Sequence, residues 1–132
     1  MIRTASILFV SALAAAPLSS PLAPAEALKA FEVVPGLRVE LVAAEPLVAS
    51  PCAIAFDAKG RLFVAENRGY PIGPKEGEKP AGVIALLEDT DGDGRMDKRT
   101  VYADGLTFPN GVLPWGGGLI VTCAPDVLFL KD

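Results

Sequence analysis

One stretch of this chain has the residue types and spacing of a cation site: Asp89-Thr90-Asp91-Gly92-Asp93-Gly94-Arg95-Met96-Asp97. Carboxylates fall at places 1, 3, 5 and 9 of a loop, with a glycine at place 6. Ca²⁺ is a hard ion that takes about six to eight oxygens at ~2.3–2.6 Å, and alternate residues of a tight loop can all aim at one centre. Gly94 permits the sharp turn that folds the second half of the loop back over the ion. The expected ligands are the side chains of Asp89, Asp91, Asp93 and Asp97, the last direct or through water, and the Arg95 carbonyl at place 7. Aspartates this close repel one another unless a cation offsets them. The bland competitor is an acidic, glycine-rich turn that binds nothing.

The loop departs from an EF-hand. Place 12 is Thr100, where an EF-hand supplies a bidentate Glu. The flanks, Val83-Ile84-Ala85-Leu86-Leu87 and Thr100-Val101-Tyr102-Ala103, read as strands and not helices. A calcium loop between strands is a scaffold device rather than a sensor.

A second candidate group is Glu66, Asn67 and Arg68, which follow a strand where polar side chains near a central channel could meet a substrate. The ordinary alternative makes them loop-start residues, with Arg68 solvated or paired to Glu66. Asn110 reads as a turn residue, and Trp115 as a core or rim aromatic. Gly116-Gly117-Gly118 is a hairpin turn, since no helix follows to make a phosphate loop.

Composition narrows the chemistry. The chain of 132 residues contains no histidine. That excludes a Ser-His-Asp triad, a His-ligated metal and a haem attachment motif within it. A net charge of −4 argues against a nucleic-acid footprint, which would be basic. No apolar run reaches the ~18–20 residues of a membrane helix. Thirteen glycines and twelve prolines favour turns and short strands over long helices.

Residues 1–27 read as a secretory signal peptide: Arg3 at the positive start, an apolar stretch from Ala5 to Ala16, and an Ala25-Glu26-Ala27 cleavage site. The mature domain is then 28–132, exported to the periplasm, the cell surface or the medium. In such a compartment Cys52 and Cys123 could pair, yet each lies in or beside an apolar strand, where free cysteine is a common buried residue.

The elements that must position these groups are strands. Leu37, Val39 and Leu41 alternate with Arg38 and Glu40, which predicts a half-buried strand over 37–43. Strands are predicted at 53–56 and 62–65, joined by the turn Asp57-Ala58-Lys59-Gly60, then at 83–87 and 100–103 around the acidic loop. Residues 68–82 form an exposed loop. The pattern then repeats. Pro109-Asn110-Gly111-Val112-Leu113 resembles Pro51-Cys52-Ala53-Ile54-Ala55, and Gly118-Leu119-Ile120-Val121-Thr122 resembles Arg61-Leu62-Phe63-Val64-Ala65. Val127 to Asp132 resembles Ile84 to Asp89, placing Asp132 where a second acidic loop would begin.

Four strands per unit at a period of roughly 40–60 residues is a propeller signature. The expected fold is all-β: one complete blade, most of a second at 111–114, 119–122 and 127–130, and a closing strand at 37–43. A closed propeller needs about four to eight blades, so the expectation is a β-propeller fragment of a larger protein.

Residues from about 31 to 132 resemble the N-terminal propeller region of planctomycete-type membrane-bound dehydrogenases, large exported proteins that carry a c-type haem. The matching strings are Leu41-Val42-Ala43-Ala44-Glu45-Pro46, Ala53-Ile54-Ala55-Phe56-Asp57, Leu62-Phe63-Val64-Ala65-Glu66, Glu88-Asp89-Thr90-Asp91-Gly92-Asp93-Gly94, Asp97-Lys98-Arg99-Thr100-Val101 and Phe108-Pro109-Asn110-Gly111-Val112. The resemblance implies a six-bladed propeller similar to soluble quinoprotein glucose and sorbosone dehydrogenases. It implies oxidation of a sugar or polyol through a quinone cofactor, with electrons passed to a haem c domain on the same polypeptide. Here calcium would be structural, and the base, the haem motif and the remaining blades would lie beyond residue 132. The alternative is a non-catalytic, calcium-stabilised propeller that binds carbohydrate or protein.

Overall fold

The computed structural model describes residues 20–131. Most of the expected signal peptide, and Asp132 with its expected second loop, lie outside the described residues. A short helix, α1 (Pro24–Leu28), starts on a proline and buries nothing. It runs through the expected Ala25–Ala27 cleavage site. Among the described residues no helix is long and apolar enough to cross a membrane.

The rest is antiparallel β-structure. Strands β1 (Pro51–Phe56), β2 (Leu62–Glu66), β3 (Gly82–Glu88) and β4 (Lys98–Leu106) form a four-stranded sheet, here sheet A, in that order. Strands β5 (Pro109–Trp115), β6 (Gly118–Cys123) and β7 (Asp126–Lys131) form a three-stranded sheet B, again in chain order. Each strand predicted between 53 and 130 is present, and most run a few residues longer.

The predicted strand over 37–43 is not. That stretch has no strand pairing, and Leu37 and Val39 remain exposed. Alternation makes a strand only where a neighbour completes the ladder. Among the described residues this stretch is instead tied to the acidic loop, where the Met96 N–H donates to the Val42 carbonyl at 2.8 Å. Residues 42–48 instead cross sheet A as a strap.

The alternation of the strands sorts the core into two layers. On one face of sheet A, Phe63, Ala65, Ile84 and Leu86 pack against Leu119, Val121 and Cys123 of sheet B. On the other, Leu62, Val64, Ala85 and Leu87 pack beneath Val48, with Val42, Ala43, Leu47 and Met96 at the margin. Strand β2 is covered on both sides, so all five of its residues are buried. That is why it reads as a continuous apolar run and not as an alternating one.

The β1–β2 turn follows its sequence. Gly60 takes a left-handed φ of 78°, which a glycine adopts without steric cost. The Asp57 carboxylate accepts the amides of Lys59 and Arg61, each at 2.9 Å, and the Arg61 guanidinium at 2.7 Å. Burial pushes the Asp57 carboxyl up, but the hydrogen bonds from Arg61 and Lys59 and the Arg61 charge outweigh it and hold the group below its ordinary 3.8. A carboxylate depressed in the folded state stabilises above its unfolded pKa, and that contribution disappears as pH falls through the folded value. Acid denaturation is therefore expected to be shallower in Asp57→Asn than in the parent between pH 3.8 and the acid limit. Parallel urea titrations at neutral and acid pH measure it, and equal acid losses in the two proteins would refute it.

Candidate metal loop and the Glu66 cluster

The β3–β4 ladder holds the two ends of the acidic loop. Glu88 pairs with Lys98 in register, and the Asp97 N–H donates to the Glu88 carbonyl at 3.0 Å. Inside, the carboxylates organise the backbone. Asp89 accepts the Gly92 and Gly94 amides at 2.7 and 2.9 Å. Gly92 and Gly94 sit at φ of 79° and 89°, so the loop needs glycine at both places. Asp91 accepts the Asp93 amide at 3.2 Å, and Asp93 accepts the Arg95 amide at 2.8 Å. The Asp97 carboxylate takes the Thr90 amide at 3.1 Å and the Thr90 hydroxyl at 2.8 Å. The Gly94 amide is the main cause of an Asp89 carboxyl held below its ordinary range.

Asp89, Asp91 and Asp97 each offer a carboxylate oxygen within 4.8 Å of the others. Three hard oxygen donors at that separation fit an oxygen-seeking cation. Each carboxylate also retains lone pairs beyond those given to the amides. Asp93, expected as a fourth ligand, is outside this group, and its carboxylate is turned to the Arg95 amide. Arg95 lies on the exposed turn.

The second candidate group resolves into a latch. Glu66 is fully buried at the end of β2. Its Oε1 accepts the Ala49 amide at 3.0 Å. Its Oε2 accepts Arg68 at 2.5 Å and Arg99 at 2.9 Å. Glu66 thus ties strap, second strand and fourth strand together, and Arg68 pairs with it. Asn67 donates its N–H to the Ser50 carbonyl at 3.1 Å, while its buried Oδ1 has no hydrogen-bond partner. Arg99 escaped the sequence analysis. Its one signal is a cation inside a strand pattern, and its partner is 33 residues away.

The remaining candidates are structural in their contacts. Cys52 and Cys123 are free thiols. Cys52 donates to the Ala65 and Pro109 carbonyls at 3.3 and 3.1 Å, and Cys123 to the Thr107 carbonyl at 2.9 Å. Burial pushes both thiols up, which makes them poor nucleophiles. Asn110 accepts the Thr122 hydroxyl at 2.5 Å. Trp115 is exposed and meets Phe129 edge to face, with ring centroids 6.2 Å apart. No set of residues here fits a haem, which would need a histidine and paired thiols: the sequence has no histidine, and the two thiols belong to different sheets.

Fold and site together define a nearly all-β protein of two stacked antiparallel sheets, with an acidic loop joining the third and fourth strands of the first. The chain belongs to the DUF7133 family, a domain of unknown function, which matches residues 23–132. No curated protein and no solved structure matches it.

Proposed function

We propose that this chain is the N-terminal part of an exported β-propeller oxidoreductase, a sugar or polyol dehydrogenase that passes electrons to a c-type haem domain. On this reading sheet A is one blade and sheet B most of the next. Further blades, the quinone site and the haem lie in polypeptide outside these residues. The signal-like start at Arg3 and Ala5–Ala16 supports export. The observation that carries the propeller is the repeat itself: sheets built strand after strand in chain order and packed face to face. The dehydrogenase activity rests on the resemblance of sequence strings. These residues contribute scaffold, with the acidic loop pinning the two outer strands around a structural Ca²⁺ and Glu66 anchoring the strap.

Two experiments test this. Coding DNA that continues past codon 132 into further blades and a Cys-x-x-Cys-His motif supports the oxidoreductase, and a stop codon there removes it. The purified 132-residue chain is expected to reduce no artificial acceptor with sugars, with or without added quinone. For the metal, Ca²⁺ is expected to raise the melting temperature. Binding to the native state alone stabilises by ~2.7 kcal/mol at a hundredfold excess over Kd. Asp91→Ala combined with Asp97→Ala is expected to abolish the shift; an unchanged shift, or none in the parent, removes the ion.

One feature favours the second reading, a calcium-stabilised module that binds carbohydrate without catalysis. A cleft of ≈ 280 Å³ opens between the β1–β2 and β5–β6 turns, lined by Asp57, Lys59, Arg61 and the exposed Trp115. An aromatic face beside polar groups suits a sugar ring. Sugar-dependent quenching of the single tryptophan, without turnover, would favour it.

A further inference from the structure

The chain has two asparagines, Asn67 and Asn110, and only the second is followed by glycine. A glycine amide has no side chain beside it to hinder its nitrogen, so it can reach the carbonyl carbon of the preceding side chain and close a cyclic imide. Aspartate-glycine pairs can close in the same way, and there are three: Asp91-Gly92, Asp93-Gly94 and Asp104-Gly105. The structure separates these four pairs.

In the acidic loop the attacking nitrogens are engaged elsewhere. The Gly92 and Gly94 amides both donate to the Asp89 carboxylate, at 2.7 and 2.9 Å. At Asp104 the group under attack is a carboxylate paired with the Lys79 ammonium at 2.8 Å, and a charged carboxylate is a poorer acyl centre than a neutral carboxamide. Asn110 is a neutral carboxamide on an exposed residue. The register of β5 against β6 shifts between Pro109 and Gly111, so Asn110 has no partner across the ladder. Its side-chain oxygen accepts the Thr122 hydroxyl at 2.5 Å, a donor placed where negative charge develops when the carbonyl carbon is attacked. A bulkier residue at 111 cannot shield it, because a Cβ there would lie 2.5 Å from the Thr122 hydroxyl oxygen. The hydroxyl that activates Asn110 is thus also the group that fixes glycine after it. The equivalent pair in sheet A is Cys52-Ala53, which has no carboxamide to react.

We propose that Asn110 is a site of self-modification, converting to aspartate and isoaspartate through an imide with Gly111. The Gly111 nitrogen bonds to the Asn110 Cγ and the Cγ–Nδ2 bond breaks. The Gly111 amide proton passes through water to the departing nitrogen, which leaves as ammonia. Water then opens the imide at either carbonyl, and no oxidant or cofactor enters. Isoaspartate adds a methylene to the main chain at the start of β5. That is one residue from the Pro109 carbonyl, which accepts the Cys52 thiol of sheet A at 3.1 Å. The change is one-way, and it loosens the seam between the sheets.

The full 132-residue chain, held folded in mildly alkaline buffer, is sampled by peptide mapping and by enzymatic methylation of isoaspartate. Modification is expected at 110 ahead of Asp91, Asp93 and Asp104. Thr122→Val is expected to slow it by roughly fivefold, the rate equivalent of one ordinary hydrogen bond, and Thr122→Ser to keep the parent rate. If Thr122→Val loses its strand circular dichroism, the order of the four sites in the parent decides alone. Isoaspartate appearing first at an aspartate overturns the proposal. So does none at 110 in the folded chain while the urea-unfolded chain forms it there. A folded Thr122→Val that reacts as fast as the parent overturns the part given to the hydroxyl.

Discussion

Replacing Glu66 by alanine is expected to cost this protein about 3 kcal/mol of folding free energy, a large share of a small domain's stability. Breaking a buried ion pair from one side typically costs about 3–5 kcal/mol, because the surviving charge loses its partner in a poorly solvated place. Here the survivors are partly hydrated: the Arg68 and Arg99 side chains are 39% and 21% exposed. Water screens them, which places the loss at the low end. The Ala49 amide also loses its acceptor, which loosens the strap. Arg99→Ala should cost less than Glu66→Ala, and Arg68→Ala least, in the order of their exposure. Urea unfolding of the full chain measures all three. A Glu66→Ala loss below about 1 kcal/mol, the size of an ordinary hydrogen bond, would show that Glu66 is no latch, and would return it to the substrate candidates.

The second large effect is expected at Phe63. Its side chain is 2% exposed in the layer between the sheets. It meets Tyr102 edge to face at 5.2 Å, and the Arg61 guanidinium sits 5.4 Å from its centroid. Phe63→Ala should cost about 3–5 kcal/mol, the range for buried aromatic truncations that leave a cavity. Phe129→Ala is the control: also aromatic and also in a sheet, but half exposed, it loses far less burial. Similar losses at the two positions would mean that the inter-sheet layer does not dominate stability.

Most of the sheet architecture was legible because local rules and tertiary packing agree. Alternation, the Asp57–Gly60 turn and the Gly116–Gly118 hairpin each specify a neighbour close in sequence, and antiparallel pairing of consecutive strands follows. The 37–43 stretch failed for the converse reason. Its alternation is genuine, but strand identity belongs to a pair of segments, and no ladder partner lies among the described residues. The acidic loop was legible in its spacing but not in its hydrogen bonding. Asp93 has the right position, but its carboxylate lies outside the group that Asp89, Asp91 and Asp97 form. Glu66 shows the same limit. Its pairing with Arg68 is two residues distant and readable, whereas Ala49 and Arg99 reach it only once strap and fourth strand are in place.

The bond from Met96 to Val42 joins the acidic loop to the strap, and the Met96 side chain packs at the edge of the layer beneath that strap. Two segments more than fifty residues apart in the sequence therefore order together. Opening the loop frees the Val42 carbonyl and one wall of the layer over Leu62 and Leu87, so the amides of both segments should exchange with solvent as one cooperative unit. Whatever tightens the loop also slows the opening of the strap, and a local event at an exposed turn then sets how long one whole face of sheet A stays shielded.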